Sequence, residues 1–200
     1  MSGGATGFRA VVPLKTVSER KTRLSARLSA ARREQLARRM ALQVIAALQA
    51  CPEVTAITVL SERQPDGAGL DWQEDNGAGL NAELERLRAG TAEPLLVVHG
   101  DLPMLTAGDV TALIAAAKAH GLAIAPDRHG EGTNAVALMP GRRFAFQFGP
   151  GSCALHRRQG ATLLERPGLA FDVDTSDDLD QLPAELASEL CGEEKTRQAR

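Results

Sequence analysis

The chain reads as an α/β protein: a single-domain, three-layer α/β/α sandwich on a mostly parallel sheet. Three observations lead there. The run Leu95-Leu96-Val97-Val98, followed at once by His99-Gly100-Asp101-Leu102-Pro103, has the form of a fully buried parallel strand that delivers a carboxylate to its C-terminal end. Strand and helix patterns follow one another along the chain, as layered strand–helix units require. A second such strand is expected at Leu169-Ala170-Phe171-Asp172-Val173-Asp174. Side chains alternate along a strand, so Asp172 and Asp174 share a side, roughly 6 to 7 Å apart at the backbone. Ligands of open α/β sheets bind at the C-terminal strand edge. If both strands lie in one sheet, Asp101, Asp172 and Asp174 can converge on one hard cation.

Composition sets the frame. Two hundred residues, 44% of them hydrophobic, suffice for one domain with a sizeable core. Residues 1–8 read as a flexible N-terminus, 9–190 as the folded domain and 191–200 as a charged tail expected to be mobile. The 23 basic and 25 acidic residues nearly cancel, so no polybasic stripe points to nucleic acid or an anionic membrane. Cys51, Cys153 and Cys191 are odd in number and lack CxxC or Cys/His spacing, which disfavours a disulfide framework or a zinc site. With no apolar export segment and no bilayer-length apolar run, the chain is expected to be soluble and cytoplasmic.

In chain order, Arg9-Ala10-Val11-Val12-Pro13 is a first strand, and the loop after it gathers Lys15, Arg20, Lys21, Arg23 and Arg27. Such cations suit a polyphosphate, and a solvated loop would look the same. Leu36, Met40, Val44 and Leu48 mark the apolar face of a helix from Ser29 to about Ala50. Val54 to Leu60 is a β-branched strand, Ser61 to Asn76 a loop with a short strand near Leu70 to Gln73, and Leu80 opens a helix ending near Gly90. Gly77-Ala78-Gly79-Leu80-Asn81-Ala82 is formally GxGxxA, but the polar run Asp71 to Asn76 stands where a dinucleotide fingerprint needs an apolar strand.

Thr106-Ala107-Gly108-Asp109 is a capping-box start for a helix that His120-Gly121 closes. Leu122 to Pro126 is a strand emptying into Asp127-Arg128-His129-Gly130-Glu131-Gly132-Thr133-Asn134, a loop that fits either a close backbone approach to a ligand or an ordinary turn. Ala135 to Met139 and Phe144 to Phe148 read as strands, the alternating phenylalanines as core. Gly149-Pro150-Gly151-Ser152 feeds a helix from Ser152 to Gln159, whose start suits a phosphate or a plain N-cap. Thr175-Ser176-Asp177-Asp178 is a second capping box, and a last helix follows Pro183. There is no GxxxxGK[ST] motif, no Ser/His/Asp order and no activated cysteine. His99, His120, His129 and His156 are scattered and read as structural or solvent-facing.

An ordered set of these pieces resembles the 2-phospho-L-lactate guanylyltransferase family, which acts in making the deazaflavin coenzyme F420. It comprises Val11-Val12-Pro13-Leu14-Lys15 with Lys21-Thr22-Arg23-Leu24, Gly79-Leu80-Asn81-Ala82, Gly100-Asp101-Leu102-Pro103, Pro126-Asp127-Arg128 with Gly132-Thr133-Asn134-Ala135, Phe148-Gly149-Pro150-Gly151-Ser152 with His156, and Asp172-Val173-Asp174-Thr175. The resemblance implies a GT-A-like nucleotidyltransferase (nucleotide-diphospho-sugar transferase) fold. It implies transfer of GMP from GTP to the phosphate of 2-phospho-L-lactate, phosphoenolpyruvate or 3-phospho-D-glycerate, with release of pyrophosphate. Carried onto this chain, Asp101, Asp172 and Asp174 would hold Mg2+; Thr133, Asn134, Gly149 and Ser152 would bind the phosphorylated acid; Pro13, Lys15, Lys21, Arg23, Leu80 and Asn81 would bind the nucleotide, with Lys21 and Arg23 catalytic. A homodimer, and hand-over of product to the next enzyme of the pathway, are compatible with it. Cys153 departs from the larger apolar residue expected there, and His99-Gly100 from a small apolar pair. Transfer to a sugar phosphate or to molybdopterin, and a nucleotide-binding module without turnover, are the other readings these residues allow.

Overall fold

The computed structural model describes residues 7–14, 24–25, 27–65 and 69–192. Its strands are β1 (Phe8–Pro13), β2 (Val54–Ser61), β3 (Asp71–Glu74), β4 (Leu95–Val98), β5 (Leu122–Pro126), β6 (Thr133–Leu138) and β7 (Thr162–Leu163). Its helices are α1 (Ala30–Gln49), α2 (Leu80–Ala89), α3 (Ala107–His120), α4 (Ser152–Arg158), α5 (Pro167–Ala170), α6 (Ser176–Gln181) and α7 (Ala184–Cys191). The strands form one sheet in the order β3-β2-β1-β4-β6-β5-β7. All neighbours are parallel except β6, which opposes both β4 and β5. The loop 127–132 between β5 and β6 is too short for a crossover, and only an antiparallel partner can be reached through it.

Alternation along the strands divides the core between two faces. Ala10, Val12, Val59, Leu96, Val98, Ala123 and Ala137 pack with Val44 and Leu48 of α1 and Leu113 and Ile114 of α3. Their neighbours Val11, Leu60, Leu95, Val97, Ile124 and Val136 pack on the other face with Leu84 of α2, Phe144, Phe146 and Cys153 of α4. The buried runs of β4 and β5, and of β6 after Thr133 and Asn134, are apolar because both faces are covered. A third cluster, with Leu36 and Met40 of α1, Val173, Leu179 and Leu190, closes one end. Ser29 caps α1 through the Arg32 N–H, and capping boxes start α3 at Thr106 and α6 at Thr175. No helix among the described residues is long and apolar enough to cross a membrane.

Two expected strands are absent. Residues 144–148 keep their alternation, with Phe144 and Phe146 buried, but join no ladder. Their N–H groups are taken by side chains instead: Ala145 donates to Gln159 Oε1 (2.8 Å), Phe146 to Glu85 Oε1 (2.9 Å), Gln147 to His156 Nε2 (3.0 Å) and Phe148 to Asn81 Oδ1 (2.8 Å). The stretch expected as a strand over Leu169 to Asp174 begins instead as α5, with Pro167 in its first turn, where a fixed φ and missing N–H cost nothing. Residues 171–174 then join no ladder. The two-residue edge strand β7 carries too little pattern to be seen in the sequence.

Gly168 in α5 is packed against the first turn of α3. A Cβ there would overlap Asp109 Oδ2 and lie 2.7 Å from Met104 O. Asp109 is the N3 member of the Thr106 capping box and accepts from Arg166 Nε at 3.0 Å. Gly168→Ala is expected to displace that carboxylate and cost about 1–3 kcal/mol. Urea unfolding should show a lower midpoint at unchanged slope.

Candidate active site

Because β1, β2 and β4 are parallel, Pro13, Ser61 and the segment 99–101 reach the same edge of the sheet. A cleft of about 570 Å³ opens there, lined among others by Pro13, Ser61, Gly79, Leu80, Gly100 and Asp101. Gly100 lies close under Leu14: a Cβ would sit 2.7 Å from Leu14 Cδ2, so that side chain would have to shift. β6 runs the opposite way, so its first residues, Thr133 and Asn134, arrive at this edge beside the end of β4. The ladder extends there as the His99 N–H donates to Asn134 O at 3.0 Å.

The same edge receives the second aspartate segment. The Val173 N–H donates to Asp101 O (3.2 Å), and the Asn134 amide donates to Leu169 O (3.0 Å) and Ala170 O (3.3 Å). Val173 is fully buried in the third cluster. Burial raises the Asp172 carboxyl above its ordinary value, and the Asp101 charge and then Asp174 push the same way, against hydrogen bonds from its own backbone and Asn134. Asp101 and Asp174 are therefore electrostatic neighbours of Asp172. Among the described residues no group of three or more His, Cys, Asp or Glu is drawn together tightly enough to hold a metal ion. Mg2+ keeps water and phosphate oxygens and is commonly held by only one or two carboxylates, so it does not require such a group.

Sequence reasoning missed what holds this segment. Asp178, almost fully buried, accepts the N–H groups of Asp174 (2.8 Å) and Thr175 (2.7 Å) on Oδ2 and pairs with Arg128 through Oδ1. Arg128 also lies over the Phe171 ring, 4.8 Å from its centroid. Burial pushes the Asp178 carboxyl up, but the two N–H donors and the guanidinium outweigh it and hold the carboxyl below the usual range. Only the capping-box spacing at Thr175 hinted at Asp178. Nothing local linked it to Arg128, fifty positions away.

A second group of residues adjoins the first. Thr133 and Ser152 are buried to within a few per cent, and His156 fully so. Thr133 Oγ1 and His156 Nδ1 are 3.0 Å apart, and the Gln147 N–H donates to His156 Nε2 at 3.0 Å. Gly149 has φ +128° and open space where a side chain would stand. The Asp127 carboxylate orders the loop before Thr133, accepting from the His129, Glu131 and Gly132 N–H groups. The Cys153 N–H donates to Glu131 O at 3.1 Å. Cys153 itself faces the core, where burial pushes its thiol up, unlike an activated nucleophile.

The two groups are joined through the Asn81 amide, which donates to Phe148 O (3.1 Å) and accepts the Phe148 N–H (2.8 Å), and through His99, whose ring lies 5.0 Å from that of Phe148. Leu80 lines the cleft, whereas the Asn81 side chain is closed on the Phe148 peptide. Lys15, Lys21 and Arg23 lie outside the described residues.

Two measurements follow from these contacts. Asp178→Ala strands Arg128 and two backbone N–H groups and is expected to cost about 2–4 kcal/mol, read by chemical denaturation. Burial lowers the His156 pKa to about 4 from 6.5, so between those values the unfolded chain binds the extra proton and stability falls as pH falls. Asp172, shifted upward, acts in the opposite sense. The His156 contribution lost between pH 7 and 5 is about 2 kcal/mol. The loss should shrink correspondingly in His156→Phe.

Residues 8–183 match the family model described as "Guanylyl transferase CofC like". The chain is 41% identical over 192 residues to the phosphoenolpyruvate guanylyltransferase of Sphaerobacter thermophilus, covering 86% of this chain and 91% of that one. It is 34% identical over 195 residues to the protein of that name from Chloroflexus aurantiacus, covering 89% and 95%. Solved structures share the architecture. One is a Desulfovibrio desulfuricans protein assigned to the nucleotide-diphospho-sugar transferases (TM-score 0.62, 15% identity, 86% of this chain and 84% of that one). Another is the 2-C-methyl-D-erythritol 4-phosphate cytidylyltransferase of Thermus thermophilus (TM-score 0.51, 16% identity, 93% and 99%). At such identities these two speak for the fold alone, a nucleotidyltransferase fold of the GT-A-like kind. With the family model spanning the whole sheet and every residue of the site described above, the chain belongs to the CofC-like guanylyltransferase family.

Proposed function

We propose that this protein transfers GMP from GTP to the phosphate of a three-carbon acid, releasing pyrophosphate, with Mg2+ as cofactor. The observation that carries the reading is the meeting of Asp101 with the Asp172–Asp174 segment, between the cleft beside α2 and the buried hydroxyls of Thr133 and Ser152. Phosphoenolpyruvate is the acceptor we favour, because relatives at 34–41% identity carry that name. The product would pass to the next step of coenzyme F420 synthesis.

The chemistry asks little of any single side chain. A phosphate monoester has a second pKa of about 6 and is mostly dianionic near neutral pH, so the nucleophile needs no general base. His156, with its pKa pushed down to about 4 and both ring nitrogens engaged, is unsuited to be one. The bond formed joins an acceptor phosphate oxygen to the α-phosphorus of GTP. The bond broken is that to the bridging oxygen, whose electron pair leaves with pyrophosphate. What must be overcome is repulsion between two anions and loss of alignment. Asp101, Asp172 and Asp174 would hold Mg2+, which supplies neutralisation of the phosphate charge. Pro13 and Leu80 would flank the nucleotide, and Lys15, Lys21 and Arg23 would stabilise the triphosphate and the departing pyrophosphate. Thr133, Gly149 and Ser152 would receive the acid, and Asn134 would hold the segment that carries Asp172.

Incubation with GTP, Mg2+ and each acid separately, followed by mass detection of the diphospho-guanosine product, tests the reading. Product with phosphoenolpyruvate is expected, abolished by EDTA and restored by Mg2+. Asp101→Asn and Asp172→Asn should lower turnover by about 10²-fold or more with unchanged circular dichroism. Absence of pyrophosphate release with every acid would overturn it.

A further inference from the structure

His156 stands apart from the other histidines. It is fully buried, and its ring is enclosed by Phe144 (5.1 Å between centroids) and Phe148 (5.3 Å). Its two nitrogens face two different parts of the site: Nε2 meets the Gln147 N–H, two residues before Gly149, and Nδ1 meets Thr133 Oγ1. Ser152 lies one helical turn before it on α4, on the same side.

These contacts determine where the hydrogens are. A backbone N–H only donates, so Nε2 must present its lone pair to Gln147. A neutral imidazole then carries its hydrogen on Nδ1, and that N–H donates to Thr133 Oγ1. The threonine hydroxyl, with one acceptor position filled, keeps its own hydrogen for another partner. An imidazolium would instead set a second hydrogen against the Gln147 N–H, and burial disfavours that form independently.

We propose that His156 is a positioning residue for the phosphorylated acid: locked as the Nδ1–H tautomer by the Gln147 N–H, it turns the Thr133 hydroxyl into an obligatory donor toward that anion. The same ring sets the distance between Thr133 and the loop bearing Gly149, so one side chain aligns both walls that receive the acid. This assignment rests on the transfer reaction proposed above for the identity of the anion, but the tautomer does not.

Two experiments keep those apart. Nitrogen-15 correlation spectra of the histidine side chains in the whole protein, assigned by His156→Phe, should show Nδ1 protonated and Nε2 unprotonated at pH 7. An Nε2–H tautomer, or an imidazolium, overturns the proposal whatever the enzyme turns over. In steady-state kinetics with GTP and phosphoenolpyruvate, Thr133→Val and His156→Phe should each raise KM for the acid by about tenfold, the scale of one hydrogen bond to a charged group. KM for GTP should stay within about twofold. The double variant should be no worse than the poorer single one, because both remove the same donor. His156→Asn, whose amide can still donate toward Thr133, should recover part of the acid KM. Multiplicative losses, or equal rises in both KM values, would mean that His156 acts only as packing. Lack of turnover with every acid would remove the transfer reaction and leave the tautomer to be decided by the spectra.

Discussion

The site depends on the reversal of one strand. Were β6 parallel to β4, Thr133 and Asn134 would begin at the opposite edge of the sheet from Asp101, and no side-chain choice could bring them together. The loop 127–132 forbids that arrangement by its length, since a parallel return needs a dozen or more residues. Asp127 then holds the turn by accepting three of its N–H groups. A turn of this kind resembles any other in composition, yet here it determines on which edge the hydroxyl and the amide emerge.

Around that edge the chain departs from regular structure in two places, and in both the backbone is held by side chains. Four consecutive N–H groups over 145–148 are bound by Gln159, Glu85, His156 and Asn81, and two more at 174–175 by Asp178. Each such bond contributes about 0.5–1.5 kcal/mol net, so a ladder would do as well for stability. Side chains can do what a ladder does not: they tie segments to particular helices. Asn81 makes the position of Phe148 depend on α2, which borders the cleft, and His156 makes Gln147 depend on Thr133.

The same distinction explains what could be read in advance. Apolar runs reveal strands buried on both faces, so β1, β2, β4, β5 and β6 were legible, as were the caps at Ser29, Thr106 and Thr175. Alternation at Phe144, Phe146 and Phe148 reports which side chains are buried and is silent on what receives the backbone hydrogen bonds. For 144–148 it therefore suggested a strand that does not form, as the apolar start of Leu169 to Asp174 did for that segment. The clamps Asn81–Phe148 and Arg128–Asp178 join residues 67 and 50 positions apart and leave no periodic trace. His156 was legible as a structural histidine, but its pairing with Thr133 required the fold.

Charge gives the site its direction. The chain as a whole is nearly neutral, at −2, so the crowding of Asp101, Asp172 and Asp174 does not come from general acidity. Burial and two like charges all raise the Asp172 carboxyl, and Arg128, a cation that borders this segment, is already paired with Asp178. Unlike the surface pair Arg27–Asp180, the raised Asp172 carboxyl costs stability where it is ionised. An added positive charge beside that carboxyl would offset this cost.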